Sequence, residues 1–169
     1  PDILEMMGVN YEWASLRAPI ALHYGGFSWF DIASLGNPPT EQLLEATDAI
    51  WAWLDEHVGT GTPLIPLGFS QGGLMATQLL RTRPERIAKT AVLAGFVTAD
   101  PQVADDKLTR MKPPVFWGRG LQDSVIPEHA VERTQKFLPA HSKLTHRTYE
   151  GLGHSIDQRV LADLSDFLV

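Results

Sequence analysis

Apolar positions along this chain recur in two rhythms that take turns. Residues 40–58 carry Leu43, Leu44, Ile50, Trp51 and Leu54 at helical spacing directly behind Pro38-Pro39, a sound helix start. Residues 63–68 form a short apolar run, and 71–81 return to helical periodicity through Leu74, Met75, Gln78 and Leu79. The alternation continues with a strand over 89–96, a strand over 114–118, a helix over 127–138, a strand over 144–149 and a helix over 155–168. Upstream, 12–16 reads as a further strand and 1–7 as the tail of a helix. Strands alternating with helices of this length imply an α/β domain with a parallel sheet and helices on both faces. No repeat, low-complexity tract or linker interrupts it, so residues 1–169 read as one domain.

At the junction between the strand over 63–68 and the helix over 71–81 stands Gly68-Phe69-Ser70-Gln71-Gly72. Gly-x-Ser-x-Gly occurs by chance in about one chain in twenty of this composition, so its context carries the weight. A serine between a strand and a helix has two readings. It either caps the helix through its side chain, or it sits on a strained turn that projects its hydroxyl from the sheet edge as a nucleophile. The second reading needs a base and an acid to orient that base. In chain order after Ser70 come Asp123, in the loop leaving the 114–118 strand, and His154, in the Gly-rich segment Gly151-Leu152-Gly153-His154-Ser155 leaving the 144–149 strand. Ser70 is the candidate nucleophile, Asp123 the candidate acid, His154 the candidate general base, and the Gln71 backbone N–H a candidate oxyanion donor.

The remaining histidines read as structural. His57 ends a helix and His129 begins one, while His146 alternates along a strand and His141 lies in a polar turn. His23 precedes Gly25-Gly26 in a loop that could reach the site. Asp105-Asp106 reads as a solvated loop or helix start rather than a metal site. Trp51 and Trp53, two apart on a helix, cannot share a face; Trp51 reads as core and Trp53 as partly exposed. Phe27, Trp29 and Phe30 are either core packing or the wall of an acyl or aryl pocket.

Composition narrows the partners. Fourteen Lys and Arg stand against twenty Asp and Glu, a net charge of −6, and no basic cluster breaks the balance, so a nucleic-acid surface is not expected. A chain of 169 residues that is 44% hydrophobic suits one domain with a core of its own. Without cysteine, neither disulfides nor thiolate metal sites arise, and the expected compartment is the cytoplasm. The longest apolar stretch, residues 91–97, is far shorter than the ~20 residues a membrane span requires.

Gly68-Phe69-Ser70-Gln71-Gly72-Gly73, the loop Gly118-x-x-x-x-Asp123-x-x-x-Pro127, and Gly151-Leu152-Gly153-His154 together resemble the phospholipase/carboxylesterase family, which includes the acyl-protein thioesterases. Arg17-Ala18-Pro19 with Gly25-Gly26-Phe27-Ser28-Trp29-Phe30-Asp31-Ile32 is similar to the family's segment ahead of the nucleophile strand, and the likeness runs from about residue 13 to 168. The resemblance implies an α/β-hydrolase fold and a serine hydrolase acting on small carboxylic esters or thioesters, without metal or cofactor. Phe27, Trp29 and Val125 are its expected substrate contacts. The rival readings are a non-catalytic ligand-binding domain on the same fold and a lipid or peptide hydrolase on the same triad. Family members also carry a His-Gly-x-Gly type loop that supplies a second oxyanion donor, and this chain contains none. The fold is therefore expected to be N-terminally incomplete. A strand from upstream residues or from another chain, a homodimer being one form, is expected to fill the gap between 12–16 and 63–68 and to bring the second donor.

Overall fold

Four parallel strands, in the order β3-β4-β5-β6, organise the computed structural model, which describes residues 10–169. The helix tail expected over 1–7 lies outside the described residues. The strands are β3 (Leu67–Phe69), β4 (Thr90–Leu93), β5 (Pro114–Gly120) and β6 (Lys143–Tyr149). A small antiparallel ribbon of β1 (Ile20–Ala21) and β2 (Phe27–Ser28) precedes them. The helices are α1 (Thr40–His57), α2 (Gln71–Thr82), α3 (Asp105–Met111), α4 (Glu128–His141) and α5 (Gln158–Leu168).

Period-2 alternation explains why both sheet faces are buried. Val92, Val115 and Trp117 point to one face, where they pack with Leu43, Ile50 and Trp51 of α1, Leu74, Met75 and Leu80 of α2, Leu108 of α3 and Ala130 and Leu138 of α4. Ala91, Leu93 and Phe116 point to the other, against Val160, Leu164 and Leu168 of α5. Helices on both faces of a parallel sheet are the architecture that the alternation of elements implied.

The structure corrects several boundaries. Residues 12–16 form no strand: Glu12, Trp13, Ala14 and Ser15 are exposed, and a strand without a ladder partner is not stable by itself. The expected gap between two flanking strands therefore reduces to one open edge, that of β3. The 63–68 run is cut to a single bridge, Leu64 with Ile87, before β3 begins, because Pro63 and Pro66 have no N–H to give a ladder. β4 stops at Leu93 because Ala94 takes a left-handed φ of 44°. α4 runs three residues past its expected end and contains Pro139; the His141 ring Nδ1 and the Ser142 hydroxyl donate to the Phe137 and Leu138 carbonyls and close its last turn. Leu44, expected on the apolar face of α1, is 43% exposed, because the stripe that meets the core is Leu43, Ala46, Thr47, Ile50 and Trp51. Asp105-Asp106 opens α3.

The guanidinium of Arg81 is enclosed in the fold. Arg81 of α2, 2% exposed, donates through Nε and Nη2 to both carboxylate oxygens of Asp105 at 2.8 and 2.7 Å, and through Nη1 and Nη2 to the Thr98 and Asp100 carbonyls. Its guanidinium lies 4.4 Å from the centre of the Phe137 ring. This one residue ties α2, α3, α4 and the segment after β4 together. Removing one partner of a buried pair strands the other charge, so Arg81→Ala is expected to lower the unfolding free energy by about 3 to 5 kcal/mol, measured by urea denaturation. Replacing Arg81 and Asp105 together with apolar residues should cost much less.

On β6, the His146 ring stacks on Trp117 with centroids 4.3 Å apart, and its Nε2 is buried without a hydrogen-bond partner. Burial, with Arg119 and Arg147 nearby, holds its pKa below the ordinary imidazole value. The unfolded chain therefore takes up this proton more readily than the folded one. The stabilising contribution is present above the unfolded pKa of ~6.5 and is lost as the pH falls below it. His146→Phe should flatten the decline in melting temperature between about pH 7 and 5 relative to the parent protein.

Candidate active site

The backbone at Ser70 has φ 57° and ψ −118°, a conformation that L-residues rarely adopt. It is held there from both sides. The Ser70 N–H donates to Leu93 O at 2.9 Å, and its carbonyl accepts from Leu74 N at 3.1 Å in the first turn of α2. The reversal also needs room. A Cβ on Gly68 would lie 2.0 Å from Gly72 O, and Gly73 packs directly on Gly95, so side chains at these positions would push the strand and helix apart. Ser70 precedes the helix without capping it: no side-chain cap hydrogen bond forms, which removes the capping reading.

The hydroxyl turns instead to His154. Ser70 Oγ lies 2.9 Å from His154 Nε2, and His154 Nδ1 lies 2.8 Å from Asp123 Oδ2. A carboxylate can only accept, so Nδ1–H is the donor, and neutral Nε2 is left to accept from the serine. The Asp123 side chain is 2% exposed and that of His154 15%. Asp123 spends its second oxygen on its own loop, where Oδ1 accepts from Val125 N at 2.9 Å and Ile126 N at 3.2 Å. The Phe69 ring packs 4.8 Å from the imidazole, on the side of the elbow. Thus the three residues singled out from the sequence, spread over 84 positions, form one continuous chain of hydrogen bonds.

Gln71 follows Ser70 as the first residue of α2, so its N–H has no intrahelical acceptor. Its side chain has a second task that the sequence did not reveal. Oε1 accepts from Trp29 N at 3.0 Å and Nε2 donates to Phe30 O at 3.1 Å. The aromatic segment is thereby pinned to the start of the nucleophile helix. The core reading holds for part of that segment. Phe30 is fully buried and Trp29 packs against the core, while Phe27 is 49% exposed under the Arg17 guanidinium. Val125, 47% exposed, rides on the turn that Asp123 caps. His23 lies edge-on to Tyr24 in the exposed ribbon turn. Among the described residues, no three His, Asp or Glu side chains converge as metal ligands, and no helix is long and apolar enough to cross a membrane.

His154 reaches the site because its loop lies flat on the end of β5. A Cβ on Gly120 would meet Leu152 O at 2.1 Å and Gly153 O at 2.4 Å, both backbone atoms that cannot yield without moving His154. Gly120→Ala is expected to cost about 1 to 3 kcal/mol of stability by overpacking, read by urea denaturation. Gly61→Ala, where a Cβ meets nothing within 4 Å, should stay within about 0.5 kcal/mol of the parent.

Comparison with known proteins identifies the fold and its relatives. The chain is 29% identical over 172 residues to a probable carboxylesterase of Oryza sativa subsp. japonica, a match covering 93% of this chain and 65% of that protein. It is 27% identical to acyl-protein thioesterase 1 of Candida albicans, covering 95% of this chain and 77% of the relative. The crystal structure of a variant of Arabidopsis thaliana SOBER1 superposes with a TM-score of 0.78 at 25% identity, over 98% of this chain and 89% of that one. The chain spans about two thirds of the length of the rice relative. The phospholipase/carboxylesterase model itself matches residues 10–169, and a match over so much of the chain makes this protein a member of that family.

Proposed function

We propose that this protein is a serine hydrolase that cleaves small carboxylic esters or thioesters through an acyl-enzyme. The observation that carries this reading is the unbroken Asp123–His154–Ser70 chain of hydrogen bonds, built on a strained turn with the hydroxyl free of any capping role. As Ser70 Oγ attacks the carbonyl carbon, its proton passes to His154 Nε2, and Asp123 stabilises the imidazolium through Nδ1–H. The carbonyl π electrons move to oxygen, where the Gln71 N–H meets the developing negative charge. Collapse of that intermediate expels the alcohol or thiol, which takes the proton from His154 and leaves an acyl group on Ser70. Water, deprotonated by His154, then attacks the acyl carbon; the bond to Ser70 Oγ breaks as His154 returns that proton to Oγ, and the carboxylic acid leaves. Phe27, Trp29 and Val125 flank this centre as substrate contacts.

The open edge of β3 fits the second oxyanion donor. Leu64, Pro66 and Ser70 bond toward the β4 side, so the N–H and C=O groups of Ile65, Leu67 and Phe69 face the other way, where no strand lies among the described residues. We assign that edge to one further strand, from outside the described residues or from a second copy, and the second donor to the loop that follows it. The cytoplasm is the proposed compartment, since a fold without disulfides needs no oxidising surroundings.

Two measurements test the reading. A fluorophosphonate probe should modify Ser70 stoichiometrically, and Ser70→Ala should keep the fold while lowering hydrolysis of p-nitrophenyl acetate or a short acyl thioester by several orders of magnitude. His154→Ala should behave alike, and Asp123→Asn should lose about as much or less. More than about a tenth of parental turnover surviving in Ser70→Ala overturns Ser70 as the nucleophile, and a protein that the probe leaves unmodified points to a non-catalytic binding domain.

A further inference from the structure

Asp123 and His154 come from different loops, and their 2.8 Å contact requires those loops to keep one fixed separation. The β5·β6 ladder ends at the pair Gly120 and Tyr149, before either residue is reached. Beyond it, Leu121 N donates to Tyr149 O and Gln122 N to Leu152 O, both at 3.0 Å. At that point the chain after β6 turns back on itself through Gly151, which has a φ of +76° and so cannot present its N–H as a regular ladder residue. Gln122 takes that N–H on its side chain: Gly151 N lies 2.7 Å from Gln122 Oε1. One residue thus grips the histidine loop twice, by its backbone at Leu152 and by its amide at Gly151.

We infer that Gln122 is a positioning residue, an amide that stands in for the missing ladder rung and sets the distance between Asp123 and His154. The inference rests on the catalytic reading of the triad. Gln122 directly precedes Asp123, and Gly151 lies three residues before His154, so the bond links the two loops close to the side chains that must meet. The residue is exposed and touches none of the three triad side chains, so its action is through the loop backbone alone. Asp123 has only short reach once its own turn is closed by Val125 and Ile126, so a loop shift cannot be absorbed by a new rotamer without opening that turn. Of the proposed substrate contacts, Phe27 and Trp29 belong to a different segment, pinned by Gln71, and Val125 alone shares the Asp123 loop. Loss of the Gln122 bond should therefore act chiefly on turnover.

The test compares Gln122→Met, which keeps the length but loses the acceptor, with Gln122→Glu, which keeps an acceptor in place. Gln122→Met is expected to lower kcat by about three- to tenfold, the range of one neutral hydrogen bond, with KM unchanged. The downfield proton signal of the Asp123–His154 hydrogen bond should weaken or broaden in the same variant, and Gln122→Glu should restore both. Parental kcat in Gln122→Met, or an equal loss in Gln122→Glu, overturns the assignment. So does a lowered melting temperature with kcat and the proton signal unmoved, since that is a purely structural role. Ser70→Ala run alongside separates the two levels. If it stays active the triad reading itself fails, and if it is inactive while Gln122→Met is fully active only the positioning role fails.

Discussion

The parallel register of the four-stranded ladder is the constraint from which the site follows. Phe69 pairs with Leu93, Leu93 with Gly118, Gly118 with Arg147, and Gly120 with Tyr149. Because all four strands run the same way, their C-terminal ends open at one edge, and the segments leaving β3, β5 and β6 carry Ser70, Asp123 and His154 to that edge. A shift of one residue in any pair would reverse which side chains face each core. Val92 and Trp117 would then leave the large cluster, and Ala91 and Phe116 would leave the cluster under α5. Core and site are thus specified by the same hydrogen bonds.

The strain at Ser70 is affordable because several unstrained contacts hold it. A residue in a sparsely populated backbone region costs on the order of 1 to 3 kcal/mol. Against this stand two backbone hydrogen bonds of Ser70 itself and the glycine contacts at 68, 73 and 95 that let helix and sheet close up. The same turn brings the N-terminus of α2 beneath the hydroxyl, so the positive end of the helix dipole lies where a negative oxygen would form in acyl transfer. A relaxed turn would direct the hydroxyl back into the helix as a cap. Strain and chemistry are here two aspects of one geometry.

Polar side chains do much of the joining that strands and helices leave undone. Arg81 binds two helices and a loop around one guanidinium, Gln71 holds the aromatic segment, and Gln122 holds the histidine loop. In each case the partner on at least one side is a backbone group that would otherwise lack a bond at the end of a regular element. Such groups have no periodicity and few residues in common. They are also the points at which a single substitution can alter the site without touching the core.

The sequence by itself determined the class of fold and singled out Ser70, Asp123 and His154, which the fold brings into one chain of hydrogen bonds. Alternating apolar rhythms need no knowledge of contacts, because period 2 and period 3.6 follow from local backbone geometry, and Gly68, Gly73 and Gly120 mark close approaches that few other residues tolerate. The order Ser70, Asp123, His154 was legible for the same reason, since each follows a readable strand. What only the tertiary structure decided was whatever depends on a partner far along the chain. Residues 12–16 have strand-like composition but no strand to pair with among the described residues, and α4 passes through Pro139 because side chains at His141 and Ser142 satisfy its last carbonyls. The bonds of the Gln71 side chain, the bond from Gly151 to Gln122 and the Arg81–Asp105 pair join residues 24 to 42 positions apart. No local pattern encodes such bonds, because their energy depends on where folding has placed the other half.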